Sequence, residues 1–396
     1  MKNQLLREAE KYRNQLVTHR RKLHAIAETG FDLENTREYV RDQLLKMGYA
    51  PKDCGKCGLI ADIGRPGKTI LLRADMDALP IREETGLDYA CENGNMHACG
   101  HALHTAMLLG AAKLLKDHES ELHGRVRLMF QSAEEVFQGA NDMIENDALE
   151  SVDAAMMLHV TLAPLPIGTA IISSPGVSAP AADYFTIEVR GRGCHGSAPQ
   201  DGVDAITAAA HILIALQEIQ ARELGINEKA VLTIGTIQGG SAPNAIADSV
   251  TMAGTIRTLD EGVRIRLKQR MEEISRGIGA AFRAEAEVRF GSGCPCLEND
   301  AHLSRKVTSY LKDLLGTDCA YTTRELDPSG SPSAGGSEDF AYVSQKVPAI
   351  MVALAAGNPS KGYTFPLHHP KVRFDEDALP YGAAIHAECA LKWLNE

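Results

Sequence analysis

The sequence predicts an α/β protein with a mixed β-sheet in one domain and a smaller α+β domain inserted into it. Three observations carry this prediction. The chain of 396 residues is too long for one ordinary core. Strand and helix patterns alternate from Gly58 to His159 and resume after Asp300, which is typical of a largely parallel sheet. Between them, residues 183–290 follow the order strand, helix, two strands, helix and strand, which predicts a ferredoxin-like unit.

The first part of the chain predicts two helices and two strands. A charged amphipathic helix is expected over residues 4–28 and a second helix over residues 35–46. Two β-rich runs, 58–64 and 68–74, are joined by the short turn Arg65-Pro66-Gly67. A short turn between two strands favours a hairpin, so we expect these runs to pair with each other.

Polar side chains follow the predicted strands of the first domain. Asp77, the neighbours Glu134 and Glu135, and His159 each lie at or just after a strand end. Because sites in α/β sheets form at the carboxyl ends of the strands, we expect these side chains to converge near Cys99. A later loop is predicted over residues 335–340, and no role is assigned to its two acidic residues.

The stretch from Met96 to His104 contains one thiol and three imidazoles. Cys and His at close spacing are ligands of zinc and other divalent metals. Gly100 permits a sharp turn between Cys99 and His101, so both side chains can aim at one point. The apolar run that follows predicts a helix, and the dipole at its N-terminus favours the thiolate over the thiol.

Composition excludes some classes of partner. The chain is 44% hydrophobic and 23% charged, as in a soluble globular protein. Its net charge of -11 argues against a nucleic-acid partner and against an anionic membrane surface. The sequence has no apolar run of signal-peptide or membrane-spanning length.

Nine cysteines, an odd number without a disulfide framework, predict a reducing, cytoplasmic location. Cys54 and Cys57 have the Cys-x-x-Cys spacing, and Cys294 and Cys296 form a second close pair. Neither pair has a partner pair at zinc-ribbon spacing, so all four are interpreted as incidental surface thiols.

Six candidate residues carry the chemistry that this pattern suggests: Cys99, His101, Glu134, Glu135, His159 and His368. One thiolate, three imidazoles and a carboxylate would surround a pair of metal ions and leave positions open for water. Two metals about 3.5–4 Å apart can activate water and polarise a carbonyl in one site. Of two adjacent glutamates, one can bind metal while the other serves as general base.

These residues resemble the amidohydrolase branch of the M20 metallopeptidase family, which includes auxin-conjugate hydrolases, hippurate hydrolases and N-acetyl-diaminopimelate deacetylases. The resemblance covers nearly the whole chain in the right order. The segments that carry it are Arg73-Ala74-Asp75-Met76-Asp77-Ala78-Leu79-Pro80, His97-Ala98-Cys99-Gly100-His101, Glu134-Glu135, Leu158-His159-Val160 and Leu367-His368-His369-Pro370.

The resemblance implies a catalytic domain of residues 1–180 and 294–396 and an inserted lid and dimerisation domain of residues 181–293. It implies hydrolysis of the amide bond of small N-acyl amino acids at two divalent metal ions. Manganese is the expected metal, with zinc, nickel or cobalt as alternatives. A homodimer through the lid is also implied.

Each role is carried over to a matching residue. The residues that match the metal ligands are Cys99, His101, Glu135, His159 and His368. Glu134 matches the general base, and Asp77 matches an aspartate that orients a metal ligand without binding the metal itself. In the lid, His195 matches a residue that steadies the tetrahedral oxyanion, often from the partner subunit. Asn244 and Arg257 match residues that bind the substrate carboxylate.

The chain departs from the family pattern at two positions. Ala102 stands where the family usually has Asp, and Cys194 stands where many relatives have a smaller residue. The loss of a carboxylate at 102 is expected to weaken metal binding, alter metal preference or mark a different substrate class. His104 is assigned a supporting or structural role, and His369 is an alternative to His368 as ligand.

Two competing functions stay open. A dipeptidase or carboxypeptidase of the same chemistry fits Asn244 and Arg257, because its substrates also end in a free carboxylate. A degenerate hydrolase that binds an acyl amino acid or metal without turnover is favoured only by Ala102, and the intact Glu134 argues against it.

Overall fold

The computed structural model describes residues 4–329 and 336–396. The sequence prediction places the boundaries of the inserted domain at residues 181 and 293. The described residues divide into two compact units, the first formed by residues 4–178, 298–329 and 339–396 and the second by residues 179–297 and 336–338.

The regular elements are numbered in chain order. The helices are α1 Gln4–Lys11, α2 Arg13–Ala25, α3 Glu34–Lys46, α4 His101–Asp117, α5 Gly139–Glu145, α6 Ala205–Glu218, α7 Glu261–Ala281, α8 Ala301–Leu315, α9 Thr323–Leu326, α10 Ala341–Ser344 and α11 Leu379–Leu394. The strands are β1 Lys52–Cys54, β2 Gly58–Gly64, β3 Thr69–Asp75, β4 Arg125–Gln131, β5 Ala154–Thr161, β6 Ala170–Ile172, β7 Gly176–Ala179, β8 Ala181–Arg190, β9 Cys194–His195, β10 Ala230–Gly239, β11 Ala245–Ile246, β12 Ser249–Thr258, β13 Glu285–Cys294, β14 Leu297–Asn299, β15 Ala320–Thr322 and β16 Ala349–Ala355. Within the described part of the chain, no helix combines the length and hydrophobicity needed to cross a bilayer.

The first unit is built around a mixed sheet with the strand order β1-β2-β4-β3-β5-β16-β6-β15. In the centre of the sheet the neighbouring pairs β4–β3, β3–β5 and β5–β16 are parallel, and so is the pair β6–β15. The pairs β1–β2, β2–β4 and β16–β6 are antiparallel. The predicted mixed sheet is therefore confirmed, and its parallel centre brings several carboxyl strand ends to one edge.

The predicted hairpin is wrong, because β4 lies between β2 and β3 in the sheet. Leu59 of β2 is opposite Phe130 of β4, while Leu72 of β3 pairs with Leu128 on the other side of β4. Every residue of β3 is buried. A strand covered on both faces takes a central position with a neighbour on each side, and the short connection after β2 therefore spans the width of β4.

Helix α4 is buried along almost its whole length and sets the position of the Cys99 loop. It packs against α2, α11 and β3, as expected for a helix that is apolar on all sides. The predicted helix over 4–28 is two helices, α1 and α2, which meet at Tyr12. The Tyr12 hydroxyl donates a hydrogen bond to Asp117 at the end of α4, over 2.6 Å.

The second unit has the order β8, α6, β10, β12, α7, β13, and its sheet has the strand order β10-β12-β8-β13 with antiparallel neighbours. This is the predicted ferredoxin-like topology, which is confirmed. Val263, Leu267 and Met271 of α7 are buried at four-residue spacing, and they form part of this unit's own core.

A buried ion pair joins α7 to β8. Arg264 donates from Nε and Nη2 to the two carboxylate oxygens of Asp183 at 2.6 and 2.8 Å, and Lys268 Nζ is 3.0 Å from the same group. Asp183 is only 2% exposed. Arg264→Met leaves this carboxylate without its main partner, so we expect the unfolding free energy of the second unit to fall by about 3 kcal/mol.

Hydrogen exchange of the β8 amides measures this loss and should accelerate in Arg264→Met. The matched control is Arg270→Met on the same helix, whose ion pair with Glu223 is much more accessible to solvent than the Arg264–Asp183 pair. Exposed pairs contribute little, so the control should leave β8 exchange unchanged. Equal acceleration in both variants would mean that the buried pair contributes no more to the stability of the second unit than the control pair does.

The four cysteines interpreted as surface thiols are buried, so that part of the interpretation is wrong. Cys54, Cys57, Cys294 and Cys296 are each at most 4% exposed. The thiol of Cys54 donates to two backbone carbonyls, and burial raises its pKa to about 11. Burial also raises the pKa of Cys296 to about 11. These thiols fill the core and are kept protonated.

Candidate metal centre

Ligand-type side chains from separate segments meet near the carboxyl ends of β3, β4 and β5. The ligand atoms of Cys99, His101 and His159 lie within 4.8 Å of one another, and so do those of Cys99, Glu135 and His368. Glu134 joins His101 and Glu135 in a third such group. Cys99 belongs to two groups, an arrangement in which one thiolate can serve two neighbouring metal positions.

Gly100 makes the turn that brings Cys99 and His101 together. Its φ is +95°, a left-handed conformation that favours glycine. A Cβ atom at this position would lie 2.4 Å from Cγ2 of Val160. Glycine is therefore required both for the turn and for the close approach to β5, and His101 begins α4 directly after it.

Cys99 faces His159. The Sγ atom of Cys99 is 3.5 Å from Nε2 of His159, while Nδ1 of His159 donates to the carbonyl of Val160 over 2.7 Å. Burial opposes ionisation of Cys99, but His159 and His101 outweigh it and hold the pKa of the thiol well below its usual range. The thiolate, which is the form that binds metals, is therefore favoured.

His101 and Glu135 present two buried ligand atoms that lack hydrogen-bond partners among the described residues. His101 donates from Nδ1 to the carbonyl of Asp77 over 2.8 Å, which leaves Nε2 for another partner. Nε2 of His101 and Oε1 of Glu135 are buried without such a partner and lie 3.8 Å apart. Burial and the charge of Cys99 raise the pKa of Glu135 to about 8. A divalent cation would satisfy both atoms and favour the ionised carboxylate, so these residues fit a metal site.

His368 approaches the same group from a loop. It has a left-handed φ of 64°, its N–H donates to the carbonyl of Ala98 over 3.0 Å, and its Nε2 is 3.7 Å from Oε1 of Glu135. His369 instead stacks on Phe365 with ring centroids 4.4 Å apart. His368, and not His369, is therefore the histidine that the structure groups with Cys99 and Glu135.

Asp77 supports the group through both its backbone and its side chain. Its carbonyl accepts the His101 hydrogen bond, and its carboxylate accepts the N–H groups of Glu134 and Glu135, each over 3.1 Å. Glu134 is buried, with Oε2 4.0 Å from Nε2 of His101. Asp77 thus fixes the backbone from which both glutamates project.

His104 uses both ring nitrogens in hydrogen bonds. Nδ1 donates to Asp75 over 2.6 Å, and Nε2 accepts the N–H of Val160 over 2.9 Å. Burial lowers the pKa of His104 to about 4, so the ring is neutral. This histidine supports β5 beside His159 and has no nitrogen left for a metal.

Ala102, in the same turn of α4, is 1% exposed, so an aspartate there would be buried.

The structure adds a buried polar network to which sequence reasoning assigned no role. Its members are Arg73, Asp75, Gln131 and Asp339. Arg73 donates from Nη1 to Asp75 over 2.7 Å and from Nη2 to Asp339 over 3.0 Å. The available signal is the Arg-x-Asp spacing in a buried strand, because alternate residues of a strand share one face.

His195, Asn244 and Arg257 belong to the second unit. His195 and Asn244 are exposed on neighbouring segments, because β9 pairs with β11 and the Asn244 carbonyl accepts the N–H of Gly196 over 2.8 Å. Arg257 lies on β12, with its guanidinium 5.4 Å from the ring centre of Tyr184.

Comparisons with known proteins agree with this chemistry. A family model described as peptidase family M20/M25/M40 matches residues 71–392. An N-acetyl-L-cysteine deacetylase of Bacillus subtilis (strain 168) is 38% identical over 387 residues, which cover 96% of this chain and 88% of the relative. The IAA-amino acid hydrolase ILR1-like 2 of Arabidopsis thaliana is 36% identical over 390 residues, which cover 96% and 85%.

A solved structure is also similar over nearly its full length. The YXEP protein of Bacillus subtilis, described as a dinuclear metal binding peptidase from the M20 family, has a TM-score of 0.79 and 32% identity. The match covers 97% of this chain and 99% of the solved one. The chain therefore belongs to the peptidase family M20/M25/M40 and is a metal-dependent hydrolase of that family.

Proposed function

We propose that the protein hydrolyses the amide bond of small N-acyl amino acids, with Glu134 as general base beside a two-metal centre. The observation that carries this proposal is the pair of ligand groups sharing Cys99, with the buried carboxylate of Glu134 next to them. The deacetylase and the IAA-amino acid hydrolase among the relatives support the substrate class.

Five residues would hold the metals: Cys99, His101, Glu135, His159 and His368. The solved relative, described as dinuclear, supports two ions. When bound, such a metal pair supplies Lewis acidity, which acidifies a water molecule and polarises the acyl carbonyl. We expect manganese first, with zinc, nickel or cobalt as alternatives, because mixed nitrogen, oxygen and sulfur donors accept all of them.

Glu134 moves the proton of the reaction. In our proposal its carboxylate takes a proton from the attacking water as the oxygen bonds to the acyl carbon. It then gives this proton to the amide nitrogen as the C–N bond breaks, releasing a carboxylic acid and an amino acid. A base needs to reach the water without being tied to the metals. Asp77 supports this role by fixing the backbone of Glu134.

His195 is proposed to donate a hydrogen bond to the developing oxyanion. The backbone N–H of Ser197 donates to Nδ1 of His195 over 3.1 Å, so Nδ1 acts as an acceptor and the ring proton is on Nε2. That nitrogen is then a donor suited to an oxyanion. Asn244 and Arg257 are proposed to bind the substrate carboxylate, since a guanidinium offers a forked pair of donors.

Arg257→Met tests the carboxylate assignment. Loss of a charge-assisted pair should raise KM for an N-acetyl amino acid by about 10²-fold with a smaller change in kcat. The control substrate is the corresponding N-acetyl amine, which lacks the carboxylate and should be hydrolysed equally by both proteins. An unchanged KM for the N-acetyl amino acid would remove Arg257 from the substrate site.

A homodimer through the second unit is the expected oligomer. Light scattering in solution should give about twice the mass of one chain. A single species with the mass of one chain would remove any role of His195 in a partner subunit's reaction.

A substrate panel tests the proposed function itself. Metal-loaded protein is offered acetyl-, benzoyl- and indole-acetyl amino acids and, separately, unmodified dipeptides. Hydrolysis of an acyl class in preference to dipeptides supports the proposal. Preference for dipeptides would favour a dipeptidase of the same chemistry, and the relative described as a peptidase makes this the main competitor.

A further inference from the structure

Asp339 is fully buried, and its carboxylate is held by donors from three segments. These donors are Nη2 of Arg73 at 3.0 Å, Nε2 of Gln131 at 2.7 and 2.9 Å, and the N–H of Ala140 at 2.9 Å. The residue precedes α10, in the acidic loop to which the sequence assigned no role. A buried carboxylate with this many donors is locked in one orientation.

The backbone of Asp339 faces the proposed general base. Its N–H donates to Oε1 of Glu134 over 3.4 Å. The other oxygen of Glu134, Oε2, is 4.0 Å from Nε2 of the metal-ligand candidate His101. The carboxylate of Glu134 therefore has one oxygen turned to the Asp339 amide and the other turned to the metal-ligand group.

Arg73 links this arrangement to the ligand side of the centre. The same guanidinium that holds Asp339 also holds Asp75, which in turn accepts a hydrogen bond from His104. All four side chains are buried. A shift of Asp339 is thus resisted by a network that is anchored on β3 and α4.

We propose that Asp339 is a positioning residue for the reaction. Its locked carboxylate fixes the peptide N–H that orients Glu134, and this keeps Oε2 aimed at the position of the attacking water. The proposal rests on the proposed role of Glu134 as base. Asp339 acts through Glu134, to whose Oε1 its N–H donates, and not on the substrate itself.

Asp339→Asn is the direct test. The variant has one acceptor oxygen, and its amide NH₂ confronts the donors of Arg73, Gln131 and Ala140. We expect kcat to fall by about 10²-fold, because misplacing a reacting group by about 1 Å costs this much. We expect KM to change by less than about threefold, and metal content and melting temperature to stay close to those of the matched control.

The matched control is Asp375→Asn. Asp375 is also buried in the first unit and is paired with Lys361 at 2.8 Å, away from this network. The control should lose stability without losing kcat. If Asp339→Asn loses metal together with activity, or keeps full kcat, positioning of Glu134 is overturned.

A double variant separates this proposal from the proposed function. If Asp339 acts through Glu134, Asp339→Asn should have no further effect on kcat in a Glu134→Gln background. A full additional loss there would overturn the positioning role while leaving Glu134 as base. Full activity of Glu134→Gln alone would instead overturn the proposed base.

A second variant covers the case in which Asp339→Asn does not fold. Gln131→Met removes one donor to Asp339 without changing charge, and kcat should fall about tenfold with the metals retained. In its crystal structure, Oε1 of Glu134 should have moved away from the Asp339 N–H. An unchanged kcat with an unmoved Glu134 would contradict the proposal.

Discussion

Replacing Glu134 by glutamine is expected to lower kcat by about 10² to 10⁴-fold, the usual contribution of general acid–base catalysis. Glutamine keeps the size of the side chain but has no basic oxygen for the proton of water. KM and metal content should stay nearly unchanged, because Glu134 is not among the residues proposed to hold the metals. Steady-state kinetics and elemental analysis on the same preparations measure both.

The matched control is Glu388→Gln in α11, another buried glutamate of the first unit. It should keep wild-type kcat. Equal activity of wild type and Glu134→Gln on every acyl substrate would remove Glu134 as the general base. If both were inactive with metals bound, the degenerate binder would be favoured instead.

Removing a metal ligand should have the second large effect. His101→Ala takes away the buried Nε2 atom that lies 3.8 Å from Oε1 of Glu135. Substitution of a residue that hydrogen-bonds to a metal ligand lowers metal affinity or activity by about 10 to 100-fold, and loss of the ligand itself should lower it further. We expect fewer metal ions per chain, turnover below detection, and loss of the rise in melting temperature that metal addition gives the wild type.

His118→Ala provides the matched control at the opposite end of α4. His118 pairs with Glu8 and Glu121 at the surface, so its loss should leave metal content and turnover intact. If His101→Ala bound as much metal as the control, His101 would have to be removed from the ligand set.

The sequence predicts the fold well where local patterns decide it. Helix α4 and the ferredoxin-like unit follow from apolar periodicity over single segments. The hairpin prediction is wrong because β2 and β3 both pair with β4, a strand more than 50 residues further along the chain. Strand β3 is buried along its whole length, and a strand that is buried on both faces is rarely an edge strand.

The candidate site is predictable in composition but not in its supporting contacts. Cysteine, histidine and glutamate at strand ends suggest ligands directly, and the structure groups their ligand atoms. The ion pair between Arg73 and Asp339 joins residues 266 positions apart, so no spacing rule reveals it. Nor does a sequence indicate that both nitrogens of His104 are already used, which separates it from His101.

The buried cysteines show that a motif-like spacing does not by itself identify a functional site. Cys54 and Cys57 have a spacing typical of redox and metal motifs, yet both are buried. The Cys54 thiol instead caps two backbone carbonyls near the end of α5. Only the packing distinguishes a core thiol from a reactive one.

The most direct test of the proposed function is hydrolysis of acetyl-, benzoyl- and indole-acetyl amino acids by the manganese-loaded protein, followed by mass spectrometry of both products. We predict release of the acid and the amino acid from at least one acyl class. This turnover should disappear on chelation and return with manganese. A folded protein that carries two metal ions and releases neither product from any acyl substrate would contradict the proposed hydrolysis of N-acyl amino acids.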